Sequence, residues 1–303
     1  MGLADVHRVP GRVGAQRGAP LDGITISAQL RALAATRVRE RALAGRRAPV
    51  LATVLVGQDP SIQAYVDAKH HACTEVGILS FDHRLAADTS AAELEQVIRS
   101  LNGNTTVDGI LLQLPLPTGL DPLALTNLIA PEKDVDGLTT TNTGALWRGD
   151  DGLPPCTPLG VIELLERSRV PLASRHVVII GRSNLIAKPL AAMLLAREAT
   201  VTICDAKTRF LKEICRHAQI LVIAAGTPSA IGAAHVSPGT VVIDIGAVRT
   251  HEGPNEALDF AAVRPLASAS TPVPGGVGPM TIACLLLNTL KAAEISERKR
   301  ERG

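Results

Sequence analysis

The sequence predicts an α/β fold in two domains, and three observations carry that expectation. Short apolar runs such as Leu51–Val56 and Val177–Ile180 alternate with amphipathic stretches, the βαβ rhythm of parallel sheets. Prolines cluster at Gly152-Leu-Pro-Pro-Cys-Thr-Pro158, where one alternation stops and another begins. A glycine-led loop, Gly181-Arg-Ser-Asn-Leu-Ile-Ala-Lys-Pro189, follows an apolar strand and opens a helix, the outline of a Rossmann-like nucleotide domain. At 303 residues the chain is long enough for two such units and a sizeable core.

Taken in order, the spacing of Leu, Ala and Val predicts a helix from Ser27 to Arg47 and a strand over 50–56, then a helix carrying Tyr65 and Lys69. A short strand around Ile78–Leu85 follows, with a helix from Thr89 to Leu101 and a buried strand from Gly109 to Leu114. Beyond the proline cluster a helix opens at Thr157 or Pro158. Strands are expected at 176–180, 200–204, 220–224 and 241–245, and helices at 189–197 and 280–296, the last fraying from Ser296.

Aromatics make up only 2% of the chain, so the core must be built from Ala, Val, Leu and Ile. A net charge of +2, from 31 basic and 29 acidic residues, gives no nucleic-acid or membrane surface and points to small-molecule partners. Five cysteines without a C-x-x-C pair fit reduced thiols in a cytoplasm. They also argue against a metal, as does the absence of an H-x-x-x-H spacing among eight histidines. No apolar run approaches the ~20 residues that span a bilayer. Residues 1–20 carry Arg8, Arg12 and Arg17 without an apolar signal core, and are expected to form a disordered extension.

Several stretches carry candidate chemistry. Tyr65, the chain's single tyrosine, precedes Lys69 by four residues, which puts a phenol and an amine on one helix face after a strand and turn. A packing tyrosine beside a solvated lysine would show the same spacing. Gln113 is the one polar residue in an apolar strand end; it bonds neighbouring backbone or faces a ligand. Pro131-Glu-Lys-Asp-Val-Asp-Gly137 holds slightly more charge than a turn requires.

Gly181-x-Ser183-x-x-x-Ala187 replaces two glycines of the dinucleotide fingerprint, but its place before a helix, with Arg182 and Lys188, suits an anion. Asp205, 24 positions after Gly181, stands where a carboxylate takes ribose hydroxyls, or where an Asp starts a turn. Pro272 to Pro279 contains three prolines and three glycines, a loop of fixed shape that a planar ligand could approach, or a purely structural double turn.

Seven pieces stand together in a specific order: Tyr65-x-x-x-Lys69, Leu112-Gln-Leu-Pro-Leu-Pro117, Pro131-x-Lys-Asp-Val-Asp-Gly137, Pro155-Cys-Thr-Pro158, Gly181-Arg-Ser-Asn184, Val242-Ile-Asp-Ile-Gly246 and Thr271-Pro-Val-Pro-Gly-Gly-Val-Gly-Pro-Met-Thr281. In this the chain resembles the bifunctional methylenetetrahydrofolate dehydrogenase/methenyltetrahydrofolate cyclohydrolases over roughly residues 20–295.

The resemblance implies an enzyme of one-carbon metabolism and purine biosynthesis, a cytoplasmic homodimer with a folate cleft between its domains. The folate-binding catalytic domain would be 21–155 plus 280–303, and the NAD(P)-binding domain 156–279. Lys69 would be the catalytic residue of the cyclohydrolase, Tyr65 would position substrate, Gln113 would set the protonation of Lys69, and Asp136 would hold the pterin ring. Pro272, Gly275, Gly276 and Val277 would line the substrate. Gly181, Arg182, Ser183, Asp205, Thr208 and Ile245 would bind coenzyme, NADP by family default.

Three departures bear on these roles. Ile62 stands where family members have serine, with Ser61 one place early, which questions hydrolysis and leaves a dehydrogenase-only paralogue as a rival. Cys204-Asp205-Ala206 replaces Cys-His-Ser, which favours NAD, whereas Arg182 favours the phosphate of NADP. Glu256-Ala-Leu-Asp-Phe260 loses an acidic group of the family element. The rival from another class is a non-catalytic folate- or nucleotide-binding regulator, against which Lys69, Gln113 and Asp136 speak.

Overall fold

The computed structural model describes residues 19–224, 231–246 and 258–302, with the side chains of residues 19, 60–62 and 302 outside that description. Two parallel sheets organise it. The first has three strands in the order β3–β2–β4: β2 is Val50–Val56, β3 is Leu79–Leu85 and β4 is Gly109–Leu112. A central parallel strand is covered on both faces, so it needs a continuous apolar run. In β2, residues 51–56 are all buried.

Leu51 and Leu111 face one core with Ala34, Val38, Cys73 and Leu286; Ala52, Val54, Ile110 and Leu112 face another with Leu94 and Ile98. The covering helices are α1 (Gly23–Leu43), α2 (Pro60–Val76) and α3 (Ala91–Gly103). α1 starts four residues before the expected Ser27, because the Asp22 side chain accepts from Thr25 N at 3.0 Å and caps it there. α3 starts two residues after the expected Thr89, because Ser90 caps it in a box closed reciprocally by Glu93.

β4 ends two residues before the expected Leu114. Gln113 N still reaches Val54 O at 2.9 Å, but Pro115, joined to Leu114 by a cis peptide, has no N–H to extend the ladder. Two helices that the apolar spacing did not announce follow, α4 (Pro122–Thr126) and α5 (Thr140–Arg148); side chains of Asp121 and Thr139 cap them. Past the proline cluster α6 is Cys156–Arg167.

The second sheet has six strands in the order β1–β9–β8–β7–β5–β6. They are β1 (Ala19–Pro20), β5 (His176–Ile180), β6 (Thr200–Cys204), β7 (Ile220–Ile223), β8 (Val241–Asp244) and β9 (Ala269–Ser270). Between them lie α7 (Ala187–Leu195), α8 (Leu211–Arg216) and α9 (Phe260–Val263). β5 has β6 on one side and β7 on the other, so the chain reverses direction across the sheet here, and the loop after β5 sits at the switch point where such sheets bind ligands.

Two expectations at the termini need correction. Ala19 and Pro20, placed with the extension, pair in parallel with β9, held by buried Leu21, whose N–H bonds Ser270 O at 2.8 Å. The last helix, α10 (Val277–Arg302), does not fray at Ser296. Glu297 pairs with the buried Arg41 at 2.6 Å and Lys299 with Glu132 at 2.5 Å, which tie the final turns to the first half of the chain. α10 therefore leaves the six-stranded unit and packs along α6 and α1.

Candidate active site

One face of α2, the carboxyl end of β4, the 131–137 loop, the start of α6 and the first turns of α10 meet around an open cleft of about 160 Å³. Lys69 and Tyr65 project into it from α2, Gln113 and Leu114 from the end of β4, and Asp136 and Leu138 from the loop. Cys156, Thr157 and Thr281 close the floor. Leu185 and Ile186, from the loop after β5, stand on the opposite wall.

Lys69 is 6% exposed, and its Nζ donates to Gln113 Oε1 at 2.8 Å. The Gln113 amide is oriented in turn, since its Nε2 donates to Leu114 O at 2.6 Å. The same ammonium lies 4.4 Å from the Tyr65 ring centre, a cation–π contact made possible by the four-residue spacing. Lys69 is thus not the solvated surface lysine that its helix alone would allow.

Burial pulls the Lys69 amine below its ordinary range, opposed by the charge of Asp136. Burial likewise pushes Asp136 up to about 6, opposed by the charge of Lys69 and reinforced by that of Asp134. The Tyr65 phenol is raised, first by burial and then by Asp136. An amine made easier to deprotonate stands beside a carboxyl made easier to protonate, the arrangement that proton transfer calls for.

The 131–137 loop is held from beneath. Lys133 donates to the carbonyls of Leu101, Asn102 and Asn104, and buried Asp134 accepts from Thr139 N at 2.8 Å and Asn142 Nδ2 at 2.9 Å. These bonds account for two of the charges that exceed the needs of a turn and leave Asp136 as the one at the cleft. Gly137 has φ +68°, and a side chain there would strike the backbone of Pro154, so the loop must end in glycine.

On the other wall, Gly181 has φ +127° and lies so close to Ala224 that a Cβ would come within 2.6 Å of its carbonyl oxygen. That close approach requires glycine at the first fingerprint position, although the two later fingerprint glycines are missing. Ser183 Oγ accepts from Ile186 N at 3.1 Å, and Lys188 reaches Asn184 at 2.6 Å. Asp205 follows the last residue of β6; its carboxylate accepts from Lys207 N at 3.0 Å and Thr208 Oγ1 at 3.1 Å, and pairs with Arg182 at 2.8 Å. Desolvation would raise this carboxyl, but those bonds and the Arg182 charge outweigh it and keep it low. The two residues that pointed to different coenzymes are partners of each other.

The structure brings Lys69, Tyr65, Gln113 and Asp136 together, and gathers Gly181, Arg182, Ser183, Asp205 and Thr208 at the adjacent loop. Pro272, Gly275, Gly276 and Val277 do not line this cleft. Gly276 is buried against Gly23 at the start of α1, and Val277 is in the core. Ile245 packs half-buried beside the same core, its N–H on Ile223 O. The side chains of Ser61 and Ile62, together with Glu256 of the 256–260 element, lie outside the described residues. Cys156 and Thr281 were not singled out from the sequence, although both stand in quoted motifs. Among the described residues no group of His, Cys, Asp or Glu could hold a metal ion, and no helix is long and apolar enough to cross a membrane.

A lysine-centred cleft walled by a dinucleotide-type loop defines a two-domain enzyme that brings a small substrate to a nucleotide coenzyme. The chain belongs to the tetrahydrofolate dehydrogenase/cyclohydrolase family: its catalytic-domain model matches residues 21–136 and its NAD(P)-binding-domain model residues 155–297. A bifunctional FolD protein of Frankia alni is 51% identical over 90% of this chain and 95% of its own length. The crystal structure of the bifunctional FolD dehydrogenase/cyclohydrolase of Campylobacter jejuni superposes with a TM-score of 0.87 at 40% identity, covering 91% of this chain and 99% of that one. The FolD enzyme of Trypanosoma brucei, solved with NADP and an inhibitor, gives a TM-score of 0.86 at 34% identity, covering 92% and 98%.

Proposed function

We propose that the chain oxidises 5,10-methylenetetrahydrofolate with NADP and hydrolyses the methenyl product to 10-formyltetrahydrofolate in the same cleft. The observation that carries this is the buried Lys69, bonded to Gln113 and electrostatically coupled to Asp136, opposite the wall formed by Leu185 and Ile186. The 181–186 loop and Asp205 would hold a nicotinamide dinucleotide, which would supply the acceptor for the hydride leaving the carbon that bridges N5 and N10. The folate nitrogens stabilise the cation left behind, so this step asks the protein chiefly for orientation.

Hydrolysis asks for more. The Lys69 amine, made easier to deprotonate by its burial, takes a proton from the attacking water and returns one to the nitrogen that leaves as the ring opens. Gln113 fixes the amine, Tyr65 braces it through its ring, and Asp136 accepts hydrogen bonds from the pterin donors. NADP is the coenzyme of the family relative with bound cofactor; Asp205 and Ala206 keep NAD usable.

The same proposal takes the folate-binding unit as 21–155 plus 280–303 and the coenzyme unit as 156–279, supported by the two sheets and the return of α10. It describes a cytoplasmic homodimer serving purine biosynthesis. Five buried, unbridged cysteines suit a reducing compartment. The exposed edge of β3, with Leu79 and Phe81 outward, suits a second copy.

The test follows methenyltetrahydrofolate spectrophotometrically with each coenzyme. Methenyl absorbance should rise and then decay as hydrolysis proceeds. Accumulation without decay would assign dehydrogenase activity alone, and folate binding with reduction of neither coenzyme would remove the enzymatic role.

A further inference from the structure

We propose that Asn288 of α10 is a positioning residue for the two loops that place Asp136 and Cys156 in the cleft. Its side chain is buried at 3% exposure, and Nδ2 donates to Val135 O and Pro154 O, both at 2.8 Å. A primary amide has two N–H donors, and these two carbonyls use both. Val135 immediately precedes Asp136, and Pro154 stands two residues before Cys156. Cys156 Sγ joins the same node, donating to Val135 O at 3.1 Å and lying 3.5 Å from Nδ2.

The two loops on either side of α5 are thereby pinned to each other by one amide more than a hundred residues further along the chain. Seven residues earlier, on the same face of α10, Thr281 enters the cleft floor, bonding Thr157 Oγ1 at 3.1 Å. α10 thus serves the cleft twice, once by lining it and once by bracing the loops. Displacing a substrate-holding carboxyl by about 1 Å is enough to cost roughly a hundredfold in rate. An apolar side chain of similar volume at 288 would leave the packing but remove both donors, so the loops could drift.

This inference rests on Asp136 as a folate anchor, and the experiment separates the two ideas. Full-length Asn288→Leu, Asp136→Asn and the double variant are compared by steady-state kinetics, by calorimetric binding of tetrahydrofolate, and by thermal melting. Asn288→Leu should raise the folate KM about tenfold and leave the coenzyme KM within about twofold. It should add nothing to the tetrahydrofolate affinity already lost in Asp136→Asn, because coupled residues are not additive. If Asn288→Leu does not fold, Asn288→Ser, which keeps a shorter donor, should show the same folate-specific change at smaller size.

A lower melting temperature with unchanged folate KM would make Asn288 merely structural and overturn the proposal. Full additivity in the double variant would overturn the route through Asp136. Unchanged tetrahydrofolate affinity in Asp136→Asn alone would instead remove the anchor role of Asp136.

Discussion

The two sides of the site, the lysine cleft and the Gly181 loop beside it, are built on opposite principles. Around Lys69 the polar groups are buried and come from five separate parts of the chain: α2, the end of β4, the 131–137 loop, α6 and α10. Around Asp205 they are closer to solvent, come from two neighbouring loops, and satisfy one another: Arg182 is 67% exposed and its partner Asp205 21%. Disturbing the first wall disturbs burial and several helices at once, whereas the second exchanges charges with little effect on the core. In the proposed roles, chemistry is fixed by packing and coenzyme preference is left to a surface that is open to change.

Lys69→Met breaks this contrast most severely. It keeps the buried stem and deletes the amine, so hydrolysis should fall by about a hundredfold to ten-thousandfold, the range of a lost general acid–base group. Hydride transfer, which needs orientation more than proton transfer, should fall much less, and parallel assays of the two steps check this. An equal loss in both would mean that Lys69 mainly binds folate.

The second test uses pH. The ionised carboxylate is the form of Asp136 that accepts hydrogen bonds, and burial lifts its midpoint to about 6. The folate KM should therefore be flat above neutrality and climb by up to about tenfold per unit as pH falls through that midpoint. An ordinary carboxyl would delay the loss to a lower pH. The coenzyme KM, governed by a carboxylate held low by its bonds, should stay level over the same interval.

The smallest effect is expected on the exposed wall. Asp205→Ser removes a carboxylate from the proposed ribose site and releases Arg182, so the NADP to NAD ratio of kcat/KM should rise by up to about fivefold, the scale of one exposed ion pair. Side-by-side kinetics with both coenzymes measure it. An unchanged ratio would assign the choice to other residues of the loop.

The legibility of the molecule divides along the same line. The strands of both sheets were readable because parallel, doubly covered strands must be apolar runs, and Tyr65 and Lys69 share a face because the helical repeat demands it. α4 and α5 were not readable from apolar spacing, since their starts are set by single capping side chains, Asp121 and Thr139. Gln113 could be flagged as polar in an apolar strand, but its partner lies 44 residues away. The pairing of Arg182 with Asp205 was hidden for the same reason, and two residues read as competing signals proved to be one neutralised unit. Asn288 sits in an apolar helix without any local mark of its task.

The return of α10 also bears on how the chain is made. Leu285, Leu286, Leu290 and Ala292 belong to the same core as Ala34, Val38, Leu51 and Leu111, and Arg41 meets its partner Glu297 across 256 positions. A ribosome releases the β2 region long before α10 emerges, so the nascent amino-terminal half carries an uncovered apolar face through most of translation. Its final core closes only after α10 has been synthesised, and until then that face is exposed to chaperones or to another unfinished chain.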